Sequence, residues 1–318
     1  MVQDKKGDYP LFSIVVITYN AEEYVIDTLE SIRKQTYPRI ELIVSDDCSR
    51  DQTVKSCENW IIENGSRFEK ATVVTTEVNT GIPGNCNRGI RQSVGDWIKI
   101  IAGDDMFVED AFEILHDEIK ADIKGEKKVF HGRTRVLSGD VITDDTSDRW
   151  GDPAQQVFNL PDTTAEIQNR ILLRFCPVAA PTALISRDVL NEVGLFDERF
   201  LFWEDRPMWR KITGHGYKMY FINKPIVIYR RHEHSVQMLG NTTFFSRTQL
   251  SKDQGYKSII IPELPFFERL SHRYVISVRA LFYRISGNKK NMVNKVLYKV
   301  LTFIPERFLF DVTNRYHP

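Results

Sequence analysis

The sequence has little cysteine: Cys48, Cys57, Cys86 and Cys176 are all that 318 residues contain, with no CxxC pair and no Cys/His spacing. That scatter excludes a structural zinc site of the ribbon or finger kind and predicts free thiols in a reducing compartment. Net charge is also missing. The 43 basic and 43 acidic residues cancel, so the whole-molecule field offers no basis for nucleic-acid binding. No stretch approaches the roughly 18 consecutive apolar residues of a spanning helix. Met1 to Pro10 is polar, with Lys5 and Lys6 and no apolar segment behind them, so neither a secretory signal nor an integral membrane protein is expected. There is no internal repeat, no low-complexity tract, and no GxGxxG after the first strand, which removes the usual dinucleotide-binding reading.

What is present is alternation. Phe12 to Thr18 is a β-branched apolar run, and Ala21 to Gln35 puts Ala21, Tyr24, Val25, Thr28, Leu29 and Ile32 on one helical face. Ile40 to Val44 predicts a second strand, followed by a helix whose start is signalled by Ser49 with Asp51 in its first turn. Val73 and Val74 sit in a third strand. The glycine-rich connection Asn79 to Gly84 leads to a helix ending near Val94, and Trp97 to Ile101 is a fourth strand. This order predicts an α/β fold with a parallel, doubly wound sheet and ligands beyond the C-terminal strand ends. A helix at Glu109 to Lys120 and a strand at Lys128 to Leu137 follow. Ser138 to Asp162 reads as a polar, aspartate-rich loop. Further on come helices near Ala165 to Arg174, at Arg187 to Val193 before Gly194, and from Pro207 to Ile212, with strands at Thr182 to Ile185, Tyr217 to Phe221 and Ile226 to Tyr229.

Three strand ends carry polar groups: Thr18-Tyr19-Asn20, Asp46-Asp47 and Gly103-Asp104-Asp105. Adjacent carboxylates repel, and a divalent cation or ligand hydroxyls would relieve that repulsion. A turn in which Asp105 caps the next helix is the plainer alternative. The segments FSIVVITYN (Phe12 to Asn20), ELIVSDDCSRDQT (Glu41 to Thr53), NTGIPGNCNRGI (Asn79 to Ile90) and Asp104-Asp105 occur in that order, followed by FWEDRPMW (Phe202 to Trp209) and YRRHEHS (Tyr229 to Ser235). Together they resemble the family-2 glycosyltransferases, inverting enzymes of the glycosyltransferase A fold, over roughly Pro10 to Val236.

That resemblance implies a Rossmann-like, mostly parallel sheet with flanking helices. Residues 1–110 would bind the nucleotide-sugar, 111–240 would form the acceptor-binding and catalytic half, and 241–318 would add a basic helical extension. Carried over residue by residue, Thr18 and Tyr19 line the base pocket, Asp46 and Asp47 contact uracil and ribose, Asp104 reaches the ribose, and Asp105 holds Mn²⁺ or Mg²⁺. Ala102 stands where many members have another Asp, so few protein ligands would hold the ion. Asp205 is the implied catalytic base, and Glu204 the residue that orients the acceptor or supports the loop. The alternative for both is simple favouring of a helix N-terminus through its dipole. Arg230 and His232 would approach the diphosphate, or else are surface charge. Asn85 and Arg88 face the donor or merely begin a helix, and Trp203 and Trp209 stack on a sugar or belong to the core.

The expected reaction moves glucose or galactose from a UDP-sugar to an N-acetylhexosamine on a polyprenyl diphosphate, with a β-linkage, in O-antigen or capsule assembly. A nucleotidyltransferase of similar sheet topology and a catalytically silent sugar-binding protein are the rival readings. From Arg269 onward ten Lys and Arg stand against two acidic residues, with Leu270, Tyr274, Val278, Leu281 and Ile285 at helical spacing. Such a tail suits peripheral contact with the cytoplasmic face of an inner membrane. Packing of its basic side on the acidic body is the alternative.

Overall fold

A computed structural model describes residues 9–144, 153–232, 244–286, 288–289 and 291–315. The apolar run Phe12–Thr18 is β1, and it pairs in parallel with β2 (Ile40–Asp46) on one side and β4 (Trp97–Ala102) on the other. β3 (Lys70–Val74) extends the sheet beyond β2, also in parallel. The crossovers are α1 (Val25–Arg33), α2 (Thr53–Asn64) and α3 (Gly81–Gln92). Side chains of β1 alternate between two cores. Phe12, Ile14 and Val16 enter one with Val25, Leu29 and Trp60, while Val15 enters the other with Ile90, Trp209 and Ile212. A strand covered on both faces must be apolar throughout, which is why this one shows no polar alternation.

The sheet continues as one nine-stranded layer. β8 (Leu184–Ser186) lies antiparallel beside β4, and then come β6 (Val129–Ser138), β9 (Met219–Arg231) and β5 (Met106–Phe107), with β7 (Val141–Asp144) folded back on β6. β6 and β9 run parallel. The remaining helices are α4 (Ala111–Ala121), α5 (Pro153–Asn159), α6 (Ala165–Ile171), α7 (Arg187–Val193), α8 (Asp205–Gly214), α9 (Arg247–Gly255), α10 (Phe266–Ser286) and α11 (Met292–Arg315). α7 ends where the sequence predicts, on Gly194 at φ +80°.

Four local expectations differ from the structure. Helix α2 starts at Thr53 because Ser49 is occupied elsewhere: its amide and hydroxyl donate to Asp46, and Asp51 takes the Thr53 amide. The glycine-rich stretch is no connection, since α3 begins at Gly81 inside it. Tyr217 to Phe221 and Ile226 to Tyr229 are parts of one strand. β9 absorbs the intervening residues as a bulge opposite Arg133, where Pro225 sits without a ladder donor. Within the expected loop Ser138 to Asp162 lie β7 and α5, and residues 145–152 fall outside the described set.

Candidate active site

The C-terminal edge of the parallel strands gathers most of the residues singled out above. Thr18 is buried, and its hydroxyl donates to Asp46 at 2.8 Å. Tyr19 follows it with half its surface open, 51% exposed. The chain then turns sharply, with Asn20 at φ +50° and, after β2, Cys48 at φ +69°. Two non-glycine residues in the left-handed region beside one edge mark a backbone held against its preference.

Asp46 and Asp47 are both buried, and they face different ways. Asp46 closes the turn after β2 through Thr18 and Ser49. Asp47 reaches across to α3, accepting from the Thr80 amide and hydroxyl, from the Gly81 amide at 2.8 Å and from the Arg88 guanidinium at 3.0 Å. It thus caps a helix whose own flanking residue Thr80 supplies no cap, and the helix N-terminus favours its charge. Arg88 also donates to the Asn85 side chain, and Asn85 in turn donates to the Thr18 carbonyl. Asn85 and Arg88 are therefore braces between strand ends in this structure.

At the end of β4, Asp104 accepts from His232 Nε2 at 2.9 Å, and Asp105 accepts from the Arg230 backbone amide at 3.0 Å. The Arg230 guanidinium donates to the Asp104 carbonyl and to Asp27, and lies over the Tyr24 ring, which also meets His232. The end of β9 is thereby tied onto the carboxylate pair and onto α1. Residues 233–235 of the YRRHEHS stretch lie outside the described residues. Asp105 is 2% exposed, and burial together with the Asp104 charge pushes its carboxyl well above the ordinary carboxylate value. Beneath it, Lys99 on β4 is fully buried and donates to the carbonyls of Pro181 and Ala183; burial lowers its ammonium to about 7.

Among the described residues, no three His, Cys, Asp or Glu side chains gather into a complete ion cage. The Asp105 environment nonetheless suits a cation that brings ligands of its own. A divalent ion carrying diphosphate oxygens would reverse the penalty on this buried carboxylate.

Asp205 opens α8, and its Oδ1 accepts the Arg206 amide at 2.6 Å. Its Oδ2 lies 3.9 Å from the Cys176 thiol. Burial first and the Asp205 charge second push the neighbouring Glu204 carboxyl up to about 7. The segment that delivers this pair touches the C-terminal edge of the parallel strands, because Leu201 accepts the Ile82 amide of α3 at 2.9 Å. A Cβ on Gly81 would stand 2.7 Å from the Leu201 carbonyl oxygen, so this approach needs glycine there as well as its φ of +78°. Trp209 is 2% exposed within the core, and Trp203, 4% exposed, stacks on Tyr256 at 5.4 Å, so neither ring is open to a sugar in this structure.

The Glycosyl transferase family 2 model matches residues 13–194, more than half of the sequence. The chain belongs to glycosyl transferase family 2. The nucleotidyltransferase reading falls with that membership. GlyG of Streptococcus pneumoniae serotype 4, a glycosyltransferase, is 28% identical over 71% of this chain and 72% of its own length. WfaP of Escherichia coli, a UDP-Glc:alpha-D-GlcNAc-diphosphoundecaprenol beta-1,3-glucosyltransferase, is 25% identical over 78% of this chain and 88% of its own. Among solved structures, S. aureus TarS 1–349 in complex with UDP-GlcNAc superposes with a TM-score of 0.58 at 16% identity, covering 96% of this chain and 92% of TarS. The family-2 transferase therefore has the glycosyltransferase A fold, with helices α9 to α11 at its C-terminal end.

Sequence reasoning gave no site role to Lys99, Cys176, Asp27 or Tyr24. Lys99 looks like one polar residue in an apolar strand, a signal that a buried partner exists. Cys176 comes beside Asp205 only through packing of the segment after α6, which no local pattern records.

Proposed function

We propose that this family-2 transferase moves a hexose, glucose or galactose, from a UDP-sugar to an N-acetylhexosamine on a polyprenyl diphosphate, with inversion to a β-linkage. The setting would be O-antigen or capsule assembly, by an enzyme held peripherally at the cytoplasmic face of a membrane. The observation that carries the reading is the contact of Leu201 with the α3 N-terminus. It joins the edge bearing Asp46, Asp47, Asp104 and Asp105 to the segment leading into Asp205, which supports a reading in which donor and base work side by side. The beta-1,3-glucosyltransferase activity of WfaP on alpha-D-GlcNAc-diphosphoundecaprenol supports the choice of hexose and carrier.

In this reading Thr18 and Tyr19 border the uracil pocket, and Asp46 and Asp47 shape its polar wall. Asp104, steadied by His232, faces the ribose. Asp105 would hold Mn²⁺ or Mg²⁺, which supplies charge neutralisation on the departing diphosphate. Arg230 keeps the Asp104–Asp105 turn in position and adds a cation nearby. Asp205 takes the proton of the acceptor hydroxyl as its oxygen bonds the anomeric carbon from the face opposite UDP. The bond from that carbon to the diphosphate oxygen breaks, and its electron pair leaves with UDP.

The test is a panel of UDP-sugars with a synthetic polyprenyl diphosphate N-acetylhexosamine, following UDP release and assigning the product linkage by NMR. Transfer of a hexose with inversion is expected. Folded enzyme that transfers from none of the UDP-sugars, or that retains the anomeric configuration, overturns the reading.

A further inference from the structure

Helices α10 and α11 do not resemble the rest of the surface. α10 has one docked side: Val275, Ile276, Val278 and Phe282 are buried, and Glu268 pairs with Arg174 at 2.9 Å. Its other side is a bare stripe of Phe266, Leu270, Tyr274 and Leu281, spaced so that they share a face. α11 is barer still. Val293, Val296, Val300 and Ile304 form a stripe on it, Ile304 being 78% exposed, and Thr302 is the one buried side chain among those described on that helix.

The charges sort in the same way. Arg273, Arg284 and Arg307 are exposed at helical positions that share or adjoin these stripes, and Lys295 and Lys299 are exposed elsewhere on α11. The acidic residues described here turn to protein partners instead: Glu268 to Arg174, and Glu306 to the Tyr298 hydroxyl. Arg279, the cation on the docked side, is taken up by Asp253. What remains outward is an apolar surface edged by cations alone. Two copies pressed together on such a face would oppose like charges, whereas an anionic lipid surface complements both its apolar and its cationic parts.

We propose that the exposed face of the α10–α11 pair docks on an anionic bilayer surface and lies in its interface. No described helix is long and apolar enough to cross a membrane. The inference deepens the reading of a lipid-linked acceptor and rests on it for the choice of a bilayer over other anionic surfaces. The docking element also connects to the site. His272 of α10 packs on Tyr256, whose ring stacks on Trp203 and whose hydroxyl accepts from Arg206, the residue after Asp205. Lipid contact at α10 thus lies two side chains away from the catalytic segment.

The experiment uses the full chain and vesicles of phosphatidylcholine alone or mixed with phosphatidylglycerol, both without acceptor lipid. Co-sedimentation is followed at low and high salt. Binding to the mixed vesicles, weakened by salt because exposed charges are screened beyond ~8 Å at physiological ionic strength, is the expected result. The double variant V296E/I304E should lower the bound fraction by roughly tenfold, and R284Q/R307Q should reduce the salt dependence. Circular dichroism and sedimentation velocity on each variant check fold and oligomeric state. The inference is overturned if the full chain ignores the mixed vesicles, if folded V296E/I304E binds them as well as the wild type, or if that variant only turns a dimer into a monomer. Transfer to a water-soluble N-acetylhexosamine diphosphate is measured in parallel. Docking without transfer sinks the proposed reaction, while transfer without docking sinks the membrane surface.

Discussion

Asp205 and Glu204 are neighbours in sequence, yet the folded chain gives them different surroundings, and the proposed base is Asp205 alone. Asp205 begins α8 and faces Cys176. Asp205→Asn keeps the size and loses the basicity, so kcat should fall by ~10²- to 10⁴-fold. Donor affinity, read by titration calorimetry, should stay within a few-fold, and turnover above a tenth of wild type would remove Asp205 from the role. Glu204 is held at about 7 against an ordinary 4.5, through burial and then the Asp205 charge. The folded chain thus binds its proton more tightly than the unfolded chain does. The stabilisation is full below about 4.5 and is lost as pH rises through about 7. Urea midpoints of wild type should therefore fall relative to Glu204→Gln across that interval, and parallel pH profiles would discount the shift. For Asp105, chelation with EDTA should stop transfer and Mn²⁺ or Mg²⁺ restore it, with Asp105→Ala weakening metal and donor binding together. Full activity in chelator would assign charge compensation to Arg230 and His232.

At the scale of elements, α3 is the part whose position matters most to the site. Asp47 caps its start, and Gly89 lets it lie close against the sheet: a Cβ there would come within 2.2 Å of Val15 Cγ1. Val15 is buried and β-branched, so it has no alternative rotamer at low cost. Gly89→Ala is expected to destabilise by about 1–3 kcal/mol through overpacking, although alanine favours a helix. Equilibrium urea unfolding measures this, and a stabilised variant would show that α3 can lift off β1 without strain. The Asp47 cap comes from a neighbouring strand end, and the Gly81 amide is shared between it and the Asn79 side-chain oxygen at 3.2 Å.

For the whole molecule, two ion pairs at low exposure hold α10 in place, Glu268 with Arg174 and Arg279 with Asp253 of α9. Packing on the body is realised on one side of α10, and its other side is left bare. Arg174→Ala would strip Glu268, 5% exposed, of its guanidinium partner, and breaking a buried pair in this way costs ~3–5 kcal/mol. Faster limited proteolysis within α10, ahead of global unfolding, is the expected readout. Unchanged protection would mean that the apolar contacts of Ile276 hold α10 without the ion pair.

Much of this architecture was legible because it is local. The β-branched run Phe12–Thr18, the face formed by Val25, Leu29 and Ile32, and the stop at Gly194 each follow from residues within a few positions of one another. The motif order that identifies the family is equally a property of the linear chain. Tertiary structure decided what depends on partners far away in sequence. The antiparallel β8 slots between β4 and β6, the break between two apparent strands is absorbed as a bulge in β9, and Asp47 caps a helix 34 residues downstream. The raised proton affinity of Glu204 and the burial of Lys99 belong to the same class. Burial and desolvation are properties of the packed assembly, and no spacing rule along the chain encodes which carboxylate ends up in a dry place.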